Sequence, residues 1–163
     1  MVLEIEKRFL IKNKNWKNYI INHSSLEQGY FNSDSDGWII RVRSENEQYK
    51  LTFKKHLYDS TSQEFEYEIP SSEGKIILSN LKNKVRKDRF YLKINQQDWI
   101  IDIFKDKNFP LEIAEIEVPS LKNKIELPSF LSKEITGMKK FSNFSLSKKP
   151  FGEWSEEDLK KNY

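Results

Sequence analysis

The sequence predicts a mainly β protein, α+β in class. Eight antiparallel strands would form a sandwich or close into a barrel, and the charged parity favours a closed barrel with a charged interior, accompanied by a few peripheral helices and a C-terminal helix. Three observations predict it. Short windows alternate with period two through most of the chain. Within those windows acids and bases hold one parity, while Ile, Phe, Tyr and Val hold the other. Finally, 163 residues with 37% hydrophobic and 13% aromatic content suffice for one domain spanning 1–163, and a sheet without closure would leave many edges exposed.

Each element has its own signal. Val2 to Leu10 alternates and opens the chain with a strand, and Trp16 to Ile21 reads as a short helical stretch. Leu26 to Phe31 follows, and the turn residues of SDSDG separate it from a strand at Trp38 to Arg43. Tyr49 to Lys54 and Glu64 to Ile69 alternate in the same way. A helix is expected over Ser72 to Lys82, capped by Ser71 or Ser72. Strands over Arg89 to Ile94, Asp98 to Phe104 and Leu111 to Val118 complete the set of eight. Ser155 followed by Glu156, Glu157 and Asp158 places a cap and three acids at the start of a closing helix.

Composition excludes several chemistries. There is no cysteine, hence no disulfide, thiolate nucleophile or Cys-based zinc site, and two histidines are too few for a His-rich centre. Any metal must be held mainly by oxygen. No apolar run reaches the roughly 18 to 20 residues of a membrane helix, and MVLEIEKRFL lacks the apolar stretch of a signal peptide, so the chain reads as soluble and cytoplasmic, with no membrane partner. With 28 basic residues against 25 acidic, net +3, no uncompensated basic stripe is available for a long nucleic acid.

The basic residues are themselves unequal: 23 are Lys and five are Arg, namely Arg8, Arg41, Arg43, Arg86 and Arg89. In so Lys-rich a chain, arginine is expected to persist where a planar bidentate fork for phosphate or carboxylate is needed. Four of the five fall on the charged strand parity, which runs Glu4, Glu6, Arg8; Arg41, Arg43; Thr52, Lys54; Glu64, Glu66, Glu68; Lys87, Arg89; Glu115, Glu117. Such a face can simply be solvated. Against that, like charges repeat at i, i+2, about 6 to 7 Å apart, where they repel. Across a barrel, paired carboxylates call for a divalent cation and paired bases for a multiply charged anion, so metal plus polyphosphate would satisfy both.

At this point the chain resembles the CYTH domains, also called triphosphate tunnel metalloenzymes. EIEKRFL matches their opening Glu-x-Glu-x-Lys strand, and an ordered series follows: QGYF at 28–31, RVR at 41–43, YKLTFKK at 49–55, EFEYEIP at 64–70, KDRF at 87–90, WIIDIF at 99–104, IAEIEV at 113–118, EITG at 134–137, then FSNFSLSKKPFGEW. The resemblance implies an eight-stranded tunnel barrel and metal-dependent hydrolysis or cyclisation of a triphosphate with Mg²⁺ or Mn²⁺, most like the short bacterial inorganic triphosphatases. It implies that Glu4, Glu6, Glu64, Glu66, Glu115 and Glu117 bind metal and that Arg41, Arg43, Lys54, Lys87 and Arg89 bind phosphate. Arg8 stands where the family has a lysine that, with the tyrosine matched by Tyr30, helps steer water; Arg8 and Tyr30 are therefore the catalytic candidates. Arginine still binds phosphate but is a poor proton acceptor. Gln63 replaces a frequent base. The substrate expected is tripolyphosphate or a related triphosphate; a class IV-type adenylyl cyclase and a low-turnover polyphosphate-binding module are the alternatives, and a homodimer is left open.

His23 and His56 read as surface residues, and Trp16, Trp38 and Trp99 as packing on the barrel exterior under helices. Asp102 is expected to point inward. Phe151 and Trp154 are expected to plug one tunnel mouth, where Lys139 and Lys140 would add basic contacts.

Overall fold

A computed structural model describes residues 3–32 and 36–161. The strands are β1 (Leu3–Ile11), β2 (Ile20–Tyr30), β3 (Trp38–Glu45), β4 (Gln48–Tyr58), β5 (Thr61–Ile69), β6 (Asn83–Ile94), β7 (Gln97–Phe104), β8 (Glu112–Glu117) and β9 (Leu131–Glu134). Helix α1 (Ser71–Asn80) lies between β5 and β6, and α2 (Asn143–Lys148) and α3 (Glu156–Lys160) follow β9. All pairings are antiparallel in the order β5-β4-β3-β2-β6-β7-β8-β1-β9, and β1 also pairs with β5, which closes eight strands into a barrel. The ninth strand continues the edge of β1 beyond β5, through Phe9↔Glu134 and Ile11↔Leu131.

Tight hairpins set the register. Asn46 and Glu47 (φ 51° and 63°) join β3 to β4, and Asn95 and Gln96 (φ 48° and 65°) join β6 to β7. Two central residues with positive φ match the right-handed twist of flanking strands, and asparagine tolerates the first position. The expected alternation follows: Arg8 faces Glu115, Arg41 faces Thr52 and Tyr30, Lys54 faces Glu64, and Arg89 faces Asp102 on the inner side.

The apolar parity builds an outer core of Phe9, Trp16, Leu92, Trp99, Ile101, Ala114 and Phe130 over β1, β6, β7 and β8. Each such large side chain contributes about 1.5 to 3 kcal/mol on burial. Trp16 sits in a 3-10 turn (Asn15–Tyr19), shorter than the helical stretch expected there. Trp38 departs from expectation: no helix covers it, and it lines an open apolar cleft with Phe65 and Tyr67. Helix α1 starts one residue earlier than expected and ends two earlier, with Pro70 at the cap position and no serine side-chain cap. It packs closely because Gly74 lies against Tyr49 and Gly29 lies under Leu78 and Leu81; a Cβ at Gly29 would come within 2.7 Å of Leu81.

One end of the interior is filled. Val85, Phe104, Ile113 and Leu10 share the inward parity and meet Ile135, Phe141, Leu146, Phe151 and Trp154 in a second apolar cluster. This is the expected plug, with Ile135, Phe141 and Leu146 as its buried members. Lys140 does not add a contact to the tunnel, because its Nζ donates to the backbone oxygen of Asp158 at 2.7 Å and lies 4.9 Å from the Trp154 ring centroid. Ser155 and Asp158 form a capping box on α3, as the sequence expects. No helix among the described residues is long and apolar enough to cross a membrane.

Candidate functional site

The interior brings eleven of the thirteen candidate residues into one charged lining; Glu66 and Glu117 share their face but are exposed. On the β6, β7, β8 and β1 side, Asp102 is fully buried between two bases. Lys87 Nζ donates to its Oδ2 at 2.5 Å, while Arg89 donates through Nε at 2.8 Å and Nη2 at 2.8 Å. Arg8 Nε donates to Glu115 at 3.0 Å, and its Nη1 donates to the Phe141 backbone oxygen at 3.1 Å, tying the lining to the plug. Glu6 lies 3.7 Å from the same Arg8 Nε.

On the β3, β4 and β5 side the pairing is looser. Arg41 lies 3.6 Å from Glu64, Arg43 lies 3.5 Å from Glu66, and Lys54 lies 3.4 Å from Glu64 while donating to Glu4 at 2.9 Å. Arg41 Nε and Glu64 Oε2 are buried without a hydrogen-bond partner. Glu66 also takes a 3.1 Å contact from Lys50 and a 3.1 Å hydrogen bond from Thr52. Tyr30 is buried between β3 and the plug, its hydroxyl donating to Gln28 at 3.2 Å and its ring against Phe144.

These surroundings decide the charge states. Burial raises the Glu6 carboxyl, helped by the neighbouring Glu115 and opposed by Arg8. Burial raises Glu64 as well, in spite of Arg41 and Lys54. For Glu4, burial is outweighed by Lys54, so its carboxyl sits below the usual range. Burial pushes the Lys87 ammonium down to about 8 against the pull of Asp102, whereas Asp102 itself is held well below the ordinary aspartate range because Arg89 and Lys87 outweigh its burial. Tyr30 is raised by burial, opposed by Arg41.

Two expectations change. The same-sign repulsion that seemed to demand an outside ligand is relieved first by the protein, since the register sets bases opposite acids across neighbouring strands. The six carboxylates also do not gather: among the described residues no three acidic or imidazole side chains stand together as a cation site. The lining still suits a hard divalent ion, because Mg²⁺ uses one or two carboxylates plus phosphate oxygens and water rather than an all-protein cage. Glu64 Oε2, which has no hydrogen bond and only a 3.4 Å contact with Lys54, and the raised Glu6 and Glu64 carboxyls are the groups such an ion would satisfy. Asp102 points inward, as the sequence predicts, whereas Lys50 lies on the charged parity but outside the candidate set. Alternation signals each of them; the double pairing of Asp102 needs the β6–β7 register.

The model of the CYTH domain family matches residues 3–149. The chain belongs to the CYTH domain family. Among its relatives is the inorganic triphosphatase of Acetivibrio thermocellus, 33% identical over 155 residues that cover 94% of this chain and 98% of that protein. The crystal structure of the inorganic triphosphatase NE1496 superposes with a TM-score of 0.68 at 26% identity, covering 90% of this chain and 95% of that one. The Hippeastrum protein HpAC1, at a TM-score of 0.56 and 13% identity over 74% of this chain and 80% of that one, shares the fold alone.

Proposed function

We propose that this CYTH chain hydrolyses a triphosphate, inorganic tripolyphosphate foremost, inside the barrel with Mg²⁺ or Mn²⁺. The observation that carries the proposal is the loosely paired β3–β4–β5 lining, where Arg41, Arg43 and Lys54 converge and the buried Arg41 Nε has no hydrogen-bond partner. A triphosphate brings several charges into a confined channel, and guanidinium forks replace the water it loses. Contacts at 3.5 and 3.6 Å to Glu66 and Glu64 are easily exchanged for shorter ones to phosphate oxygens, each worth about 1.5 to 3 kcal/mol.

Glu4, Glu6 and Glu64, with Glu66, Glu115 and Glu117 towards the neighbouring strands, are the carboxylates that would hold the metal. When bound, the ion supplies charge neutralisation at the phosphates and a more acidic attacking water. The chain's own residues do the rest: Arg41, Arg43 and Lys54 bind and align the chain of phosphates, and Lys87 and Arg89, fixed by Asp102, extend the clamp. Arg8 keeps its charge and is committed to Glu115 and Phe141, so it orients and binds rather than accepting a proton. Tyr30, protonated, lies beside Arg41, in reach of the same end of the lining.

A panel of tripolyphosphate, thiamine triphosphate and ATP with Mg²⁺ and Mn²⁺ tests this. Phosphate release, fastest from tripolyphosphate, is expected. Cyclic AMP from ATP would establish the cyclase alternative, and tight binding with no release under any metal would establish the binding module.

A further inference from the structure

Arg86 is the one arginine that the barrel interior does not use, and the structure gives it a setting of its own. It points outward from the first half of β6 and lines a surface cavity of about 410 Å³, separated from the tunnel by the plug. Six basic side chains surround this cavity: Lys82, Lys84, Arg86, Lys105, Lys107 and Lys148. Asp106 and Glu153 oppose them in the lining, and just outside it Asp88 pairs with Lys105 at 2.7 Å and Glu27 lies 3.6 Å from Lys84. Lys84 and Arg86 lie at alternate outward positions of β6, about 6 to 7 Å apart, and Lys82 comes from the bend just before it. The others come from the turn after β7 and from α2, so charges that would repel in isolation are brought to one hollow by the fold.

The floor of the hollow is fixed. Asn108 is buried, accepts a hydrogen bond from the Phe151 backbone N–H at 2.9 Å and donates to the Leu146 backbone oxygen at 3.5 Å, joining the turn after β7 to the C-terminal segment. Gly152 lets these segments meet, since a Cβ there would come within 2.7 Å of the Lys107 carbonyl oxygen. The walls are committed in part: Lys107 pairs with Glu153 at 3.1 Å, Lys105 pairs with Asp88 at 2.7 Å, and Lys148 Nζ lies 4.3 Å from the Phe144 ring centroid. Arg86 lies 3.6 Å from Asp106 with both side chains about half exposed, too long for a hydrogen bond, and among the described residues Lys82 and Lys148 carry no ion pair. No Phe, Tyr or Trp lines the cavity.

We infer that this cleft is a second anion site, separate from the tunnel, that takes a short inorganic phosphate chain. Several bases on a fixed floor suit a ligand with several charges, and a loosely held guanidinium supplies the bidentate contact that lysine cannot. The absence of an aromatic platform disfavours a nucleobase ligand, since base stacking is the common device for holding single strands.

The test is calorimetric titration of tripolyphosphate into the full chain with EDTA present to prevent turnover, comparing wild type, Arg86→Glu/Lys148→Glu and the tunnel variant Arg43→Ala. The expected result is a binding event that Arg43→Ala retains and the double variant weakens by about tenfold or more, given reversal of two charges at the site. The double variant should hydrolyse triphosphate at the wild-type rate, and its unfolding temperature should match wild type; Arg86→Ala/Lys148→Ala, which only removes charge, should weaken the same event by a smaller factor. Identical titrations for wild type and both cleft variants would overturn the inference. So would a short single-stranded oligonucleotide that displaces tripolyphosphate from this event and binds more tightly. Failure of the tunnel proposal reads differently, as an Arg43→Ala titration equal to wild type.

Discussion

The two sides of the barrel interior carry similar charges and use them differently. On the β6–β7–β8 side, Asp102, Lys87 and Arg89 are locked by hydrogen bonds of 2.5 to 2.8 Å, and Arg8 is bonded to both Glu115 and the plug. On the β3–β4–β5 side, the Arg41 and Arg43 contacts to glutamate open to 3.6 and 3.5 Å, and Arg41 Nε and Glu64 Oε2 have no hydrogen-bond partner. Paired charges can hold a fold or await a ligand, and the geometry of the pairing tells which. A buried base whose donors are satisfied gains less from a phosphate than one whose donors are idle.

The largest effect should come from breaking the locked side. Asp102→Asn leaves Lys87 and Arg89 buried without their countercharge and should cost about 3 to 5 kcal/mol, read by denaturant unfolding. A loss under about 1 kcal/mol would show that the triad is not structural. On the open side, Arg43→Ala should separate function from folding. Glu66 keeps Lys50 and Thr52, so stability should hold within about 1 kcal/mol while kcat/KM falls about 10- to 150-fold. Comparable losses in both quantities would erase the contrast between the two sides.

A third variant, Glu6→Gln, works on the seam between them. Because the folded Glu6 carboxyl is raised, its contribution to stability is present below the ordinary glutamate range and is lost as pH rises through the raised value. At neutral pH the ionised side chain is therefore a burden. Glu6→Gln should unfold at a higher temperature than wild type at pH 7 without metal, with a smaller gain at pH 4, yet lose about 10- to 100-fold in metal-dependent turnover. A lower unfolding temperature at pH 7 would contradict the assignment.

The smallest effect concerns Lys87, whose ammonium burial lowers to about 8. Its contribution to stability is present above the ordinary lysine value and is lost as pH falls through about 8, while its positive charge for phosphate is lost in the opposite direction. kcat/KM should decline as pH rises past about 8, and Lys87→Arg should shift that limb upward. An unchanged alkaline limb would remove Lys87 from the clamp.

Much of this was legible in the sequence, for identifiable reasons. Parity alone placed Glu4, Glu6, Arg8, Arg41, Arg43 and Arg89 on one face, because side-chain direction in a strand follows from position. Strand ends were less legible. Residues 22–25 are polar and 83–88 mostly polar or basic, yet they are strand because β2 and β6 pair along nearly their whole length. The four residues of β9 depend on Phe9 and Ile11 of β1. Register was the missing quantity in the site: sequence spacing shows like charges two apart but not that Glu64 faces Lys54 or that Asp102 faces Arg89. Hence like-charge spacing along single strands overstates the need for a ligand, and it cannot distinguish locked pairs from open ones.

The most direct test of the account is phosphate release from tripolyphosphate while Mg²⁺ or Mn²⁺ is titrated against EDTA, for wild type and Glu64→Gln. Release should require the metal and should be largely lost in Glu64→Gln, whose unfolding temperature should not fall. Release that persists under chelation, or that Glu64→Gln leaves intact, would contradict the claim that the open side of the barrel is where metal and phosphate meet.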